Sequence, residues 1–204
     1  MTLANKITIG RILFIPVFVG CAIYYAQSVE ENAPVEAYRW AAVVSFVLAS
    51  ASDGVDGFIA RRFHQRSRLG RILDPLADKG LLISAIITLS LTPWPWKFPL
   101  WFPILVIGRD VICISAVFLI NFVAGHVEIR PHWTGKVATF FQMVAIGWVL
   151  LEWRWLHPMV PTVLAGIFTF LSGVIYFRDG LAQLRATEHA HPERPPPDPD
   201  ERDS

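Results

Sequence analysis

The chain has 204 residues, of which 53% are hydrophobic and 13% aromatic, and its mean hydropathy is +0.44, values that depart from those of a soluble domain. Its formal net charge is +1, so no bulk positive field draws nucleic acid, and any charge argument rests on where the charges lie. The composition points to an integral membrane protein.

A membrane helix needs about 20 mainly apolar residues. The first such window is Ile9–Ala26, inside NKITIGRILFIPVFVGCAIYYAQS. This start resembles a signal peptide, and FVGC faintly resembles a lipoprotein cleavage box. Further apolar segments follow it, so it is expected to be the first membrane helix. The next windows are Tyr38–Ala60, Leu76–Leu91, Trp101–Ala124, Gly135–Leu151 and Val160–Phe177, of which the third and fifth are short. Cys21 and Cys113 each fall inside an apolar run, without the close spacing of a metal site or redox pair, and are expected to be inert. Residues 1–188 are therefore expected to form one membrane domain. HAHPERPPPDPDERDS, from His189 to Ser204, is rich in proline and charge and is expected to be a disordered tail.

Lys and Arg near helix ends stay on the cytoplasmic side during insertion. With the amino terminus inside, 15 of the 18 basic residues gather there, and only Arg39, Lys97 and Arg154 lie outside. Both termini are thereby expected in the cytoplasm, with a bacterial inner membrane as the setting. Trp94, Trp96, Trp101, Trp153 and Trp155 lie in or beside the short outer loops, as an interfacial aromatic belt would.

Between the second and third windows runs DGVDGFIARRFHQRSRLGRILDPLAD, from Asp53 to Asp78. Asp53 and Asp56 are three residues apart and Asp74 and Asp78 four apart, so on helices each pair shares a face. Two helices joined by a short loop pack antiparallel, which lets the two acidic faces meet. Four unpartnered carboxylates would repel one another, and a hard divalent cation, Mg²⁺ or Mn²⁺, resolves that conflict. Simpler readings exist: Asp74 before Pro75 as a helix cap, or Asp53 and Asp56 in salt bridges with Arg61, Arg62 or Arg71. Each accounts for one or two residues, and none for four beside Gly54, Gly57 and Gly70, where missing side chains leave room for a ligand.

The stretch Asp53-Gly-Val-Asp56-Gly57-x-x-Ala60-Arg61, eight residues, Gly70, three residues, Asp74, three residues, Asp78 resembles without a gap the signature of the class I CDP-alcohol phosphatidyltransferase family, with all eight specified positions filled. The resemblance implies an all-α, polytopic membrane bundle of six transmembrane helices with an Asp-rich, cytoplasm-facing active site. It implies transfer of a phosphatidyl group from CDP-diacylglycerol to an alcohol hydroxyl, with release of CMP. It further implies that Asp53, Asp56 and Asp74, with Asp78 beside them, hold one or two divalent ions. Asp78 would be the general base, and Asp53, Asp56, Gly57, Ala60, Arg61 and Gly70 would form the nucleotide site. A homodimer in the lipid bilayer is expected on the same ground, with no nucleic-acid partner.

The acceptor is less legible. Arg109, Lys136 and Arg178 sit at helix ends facing the same surface and are candidates for an acceptor phosphate, although positive-inside topology alone would place them there. NKITIGRILFIPVF and WTGKVATFFQMVAIGWVLL resemble phosphatidylglycerophosphate synthases, whose acceptor is glycerol 3-phosphate. IGRDVICISAVF is also similar to cardiolipin synthases of the same family, whose acceptor is phosphatidylglycerol. Two other classes fit less well. A membrane prenyltransferase would carry two widely separated Asp motifs, and a divalent-cation transporter would place carboxylates near the midplane of several helices, where this chain has little besides Asp110.

Overall fold

In a computed structural model, the structure describes residues 3–63, 70–124, 133–153 and 155–190, with side chains described over 8–52, 77–116, 133–153 and 155–182. These residues form six helices and no strand: α1 (Leu3–Glu30), α2 (Glu36–Phe63), α3 (Gly70–Leu91), α4 (Trp101–Ala124), α5 (Trp133–Leu150) and α6 (Met159–Ala190). The six apolar windows thus become six helices, each reaching past its window at one end or both, except that α4 matches its window and α5 ends one residue short at Leu150. α3 starts at Gly70 rather than Leu76 and so takes in Asp74. Asp74 consequently lies in the second turn of α3, which removes its reading as a simple helix cap. The tail from residue 191 onward lies outside the described residues.

Small residues at helical spacing let the helices approach closely. Phe18, Ala22 and Ala26 of α1 face Ala42, Phe46 and Ala49 of α2, with the Phe18 and Phe46 rings 5.8 Å apart. Leu81, Leu82, Ala85, Ile86 and Leu89 bury α3 among its neighbours. Phe141 of α5 stacks on Phe168 of α6 at 4.5 Å, and beside them buried Gln142 donates from Nε2 to Thr169 Oγ1 at 2.8 Å. Several hydroxyls inside the helices are satisfied locally: Ser45, Ser90 and Thr169 each donate to the carbonyl four residues earlier.

The outer surface is strongly apolar, with Leu13, Ile104, Ile114, Phe140 and Phe170 all more than half exposed. A water-facing surface does not tolerate so many neighbouring large apolar groups, whereas lipid does. Among the described residues α1 (Thr8–Glu30) and α6 (Met159–Ala182) are long and apolar enough to cross a membrane.

One end of the bundle is closed by a clasp. α1 finishes with Asn32 at φ 56°, the Ala33 amide donating to Ser28 O and the Asn32 amide to Val29 O, which caps the last carbonyls. α5 ends in the same motif, with Glu152 in the left-handed position at φ 48° and the Trp153 and Glu152 amides donating to Trp148 O and Val149 O. Glycine is usual there, and the left-handed conformation costs other residues roughly 1–2 kcal/mol. The glutamate side chain acts against that cost by joining three helices. Its Oε1 accepts the Tyr25 hydroxyl at 2.6 Å, and Oε2 lies 3.6 Å from Arg39, which also pairs with Glu36 at 2.6 Å. The Trp94 ring packs at a tilt against Tyr25, 4.7 Å between centres, and is only 4% exposed. That corrects the expectation for Trp94, which seals the core rather than anchoring at an interface. Trp101, Trp153 and Trp155 are exposed.

Candidate active site

At the opposite end, α2 runs out and α3 begins. The backbone is helical at Asp53, Asp56, Gly57, Ala60 and Arg61 on α2 and at Gly70 and Asp74 on α3, but the side chains of these seven residues lie outside the described part of the structure. The predicted spacing therefore holds at the level of helical backbone: each aspartate pair lies within about one turn of its helix. Asp78 is described and is half-buried. Among the described residues no group of three or more His, Cys, Asp or Glu side chains is gathered as a metal site would be.

The donor chemistry suits the expected ions all the same. Carboxylates are hard oxygen ligands, the type Mg²⁺ and Mn²⁺ take, and the described neighbourhood adds no thiolate or imidazole that would favour a softer metal. Thr8 and Arg11 of α1 are fully buried at the same end of the bundle, and both are engaged with other groups there. A guanidinium at that depth is sustained only by polar or anionic neighbours.

The acceptor candidates divide. Lys136, in the first turn of α5, and Arg178, on α6, are exposed. Arg109 turns inward: Nη1 donates to Asp110 Oδ1 at 2.8 Å, Nη2 to Ser172 Oγ at 2.7 Å, and the guanidinium carbon sits 5.0 Å from the centre of the Tyr176 ring. Gly135 and Gly173 make room for it, since a Cβ on either would lie 3.1 Å from Nη2 or 3.2 Å from Cγ. Asp110, 8% exposed, accepts from Lys79 Nζ as well, at 2.9 Å and 2.7 Å to its two oxygens. One carboxylate thus joins a cation on α3 to a cation on α4 that is itself fastened to α6. Removing one of the cluster's two buried members, Arg109 or Asp110, typically costs about 3–5 kcal/mol, because a charge is left behind. A groove of about 420 Å³ opens beside this cluster between α4 and α6, walled by Ile104, Gly108, Arg109, Phe170 and Phe177.

Sequence reasoning noted Asp110 as an exception in an apolar helix and Lys79 as an inner-side charge, but did not connect them. The signal was present, since an ionisable residue within an apolar segment needs a partner. Which partner, 31 positions away, only the packing decides.

The chain was compared with known proteins. The profile of the CDP-alcohol phosphatidyltransferase family matches residues 1–176. A Mycobacterium tuberculosis protein named "Probable phosphatidylglycerophosphate synthase" is 34% identical over 186 residues, which cover 89% of this chain and 83% of the relative. An Escherichia coli protein named CDP-diacylglycerol–glycerol-3-phosphate 3-phosphatidyltransferase is 32% identical over 169 residues, 83% of this chain and 85% of that one. A Shigella sonnei protein of the same name matches to the same extent. With the signature unbroken from Asp53 to Asp78 and the match running from the first residue into α6, the chain belongs to the CDP-alcohol phosphatidyltransferase family.

Proposed function

We propose that this chain transfers the phosphatidyl group of CDP-diacylglycerol to the hydroxyl of glycerol 3-phosphate, releasing CMP and giving phosphatidylglycerophosphate. The observation that carries the reading is the complete aspartate signature on two consecutive helices, in a chain whose relatives at 32–34% identity are named for this activity. Asp53, Asp56 and Asp74, with Asp78 beside them, are the residues to hold one or two Mg²⁺ or Mn²⁺ ions at the diphosphate. When bound, such an ion offsets the charge that grows on the departing CMP.

The chain's own groups do the rest. Gly57 and Gly70 leave space for the cytidine, with Ala60 and Arg61 beside it. Asp78 takes the proton from the acceptor hydroxyl as its oxygen bonds to the phosphatidyl phosphorus and the phosphorus–oxygen bond to CMP breaks. Lys136 and Arg178, exposed at the same end, supply the charge that a small phosphate dianion needs. Six membrane spans, a site on the cytoplasmic side and a homodimer complete the reading, supported by the basic residues at one end and the apolar outer surface.

The test is direct. Purified protein given CDP-diacylglycerol and a panel of alcohols should release CMP with glycerol 3-phosphate, lose turnover in excess EDTA and recover it with Mg²⁺ or Mn²⁺. Protein that ignores glycerol 3-phosphate but converts phosphatidylglycerol to cardiolipin would move the reading to the second acceptor. Full turnover in EDTA after dialysis would remove the metal from it.

A further inference from the structure

From the two-cation, one-carboxylate cluster we infer that Asp110 is a positioning residue for the transfer, acting through Lys79. It fixes the α3 segment that carries Asp74 and Asp78 against α4 and α6, the second of which carries Arg178. The inference rests on the transferase reading of the aspartates. Lys79 follows Asp78 directly, so a tether on its ammonium limits how the Asp78 backbone can shift or roll. Both Asp110 oxygens receive that ammonium, at 2.9 Å and 2.7 Å, a two-point hold that is directional where a single contact would allow swing.

The far side of the tether is rigid. Arg109 holds Asp110 Oδ1 at 2.8 Å and is itself pinned by Ser172 at 2.7 Å and by the Tyr176 ring, so Asp110 is fastened to α6 as well as to its own helix. Gly135 of α5 and Gly173 of α6 leave the space that the Arg109 side chain fills, since a Cβ on either would come within 3.1 Å or 3.2 Å of it. Lys79 is more than a third exposed, hence the adjustable end of the chain of contacts. Without the Asp110 charge, Lys79 and Arg109 would face each other as like charges, and α3 would lose its hold.

A purely structural ion pair would stabilise the bundle and leave the chemistry of folded protein alone. The measurement therefore compares wild type with Lys79→Met, Lys79→Arg and Asp110→Asn in the full chain, reading kcat and KM from CMP release, Mn²⁺ affinity by paramagnetic resonance, and Tm. Lys79→Met is the deciding variant, because its partly exposed site accommodates an apolar side chain of similar length and because two accounts predict opposite signs. Removal of a cation near the aspartates tightens Mn²⁺ by simple electrostatics, whereas loss of positioning weakens it. We expect weakening of about tenfold and a kcat loss of about 10- to 100-fold, the range seen when groups that orient metal ligands are removed, with KM for glycerol 3-phosphate nearly unchanged. Lys79→Arg, which still reaches Asp110, should recover most of both, and Asp110→Asn should match Lys79→Met in kcat.

Folded Lys79→Met with wild-type kcat, or with tighter Mn²⁺, overturns the inference even if Asp110→Asn fails to fold. Failure of the transferase reading looks different: wild type that binds Mn²⁺ but releases no CMP with any acceptor. The Mn²⁺ comparison between wild type and Lys79→Met then still decides the tether. Wild type that binds no Mn²⁺ overturns both.

Discussion

A guanidinium already bonded to Asp110 and Ser172 has less to offer an incoming phosphate than an exposed ammonium has. Positive charge at the same end of the bundle is common to Arg109, Lys136 and Arg178, and what separates them is the direction each side chain takes. Lys136→Ala or Arg178→Ala should accordingly raise KM for glycerol 3-phosphate by about tenfold, with KM for CDP-diacylglycerol changed far less. Equal rises for both substrates would mean that these cations serve the nucleotide or the membrane surface instead. The sequence could not make this division. It marks Asp53, Asp56, Asp74 and Asp78 because helical spacing is written in the chain, while the partner of a long, flexible cation is chosen by residues dozens of positions away.

At the scale of elements, Glu152 sets two effects against each other, backbone strain at φ 48° and a carboxylate that reaches both Tyr25 and Arg39. The two are separable. Glu152→Gly removes the carboxylate and relieves the backbone; Glu152→Ala removes the carboxylate and keeps the strain. If the carboxylate outweighs the strain, Tm in detergent should fall in the order wild type, Glu152→Gly, Glu152→Ala, the last two differing by about 1 kcal/mol. A Glu152→Gly protein more stable than wild type would show that the clasp is weaker than the strain it maintains. Hydropathy windows found all six helices yet began α3 six residues late, because they register apolar side chains and not backbone hydrogen bonding through the charged start of a helix. They also could not tell Trp94, packed against Tyr25, from tryptophans that face outward.

For the whole molecule, alternation of the helices puts Glu31 and Lys97 at one end and Lys136 and Arg178 at the other, all four exposed. Six spans with an inner amino terminus then predict a labelling pattern. In cells expressing single-cysteine variants without Cys21 and Cys113, an impermeant maleimide should reach Glu31→Cys and Lys97→Cys from outside. It should reach Lys136→Cys and Arg178→Cys only after permeabilisation. Labelling of Lys97→Cys and Lys136→Cys from the same side would rule out a span at α4. The placement of Lys and Arg is what predicts the side on which the ends lie, since insertion acts on the chain as it emerges.

The clasp also has a history in time. Tyr25 and Glu152 are separated by 127 positions, so at about 5–20 residues per second roughly 6–25 s pass between their synthesis. Arg39 is made 113 positions before Glu152 and cannot meet it until α5 is complete. Glu36, one turn away on the same helix and 2.6 Å from Arg39, is made at nearly the same moment and can neutralise it at once. The local pair therefore serves as a temporary counter-ion while the chain is still growing, and the bundle closes at that end only when α5 arrives. A Glu36→Gln chain should then be impaired mainly in the yield of inserted protein, with much less effect on the stability of molecules that have finished assembly.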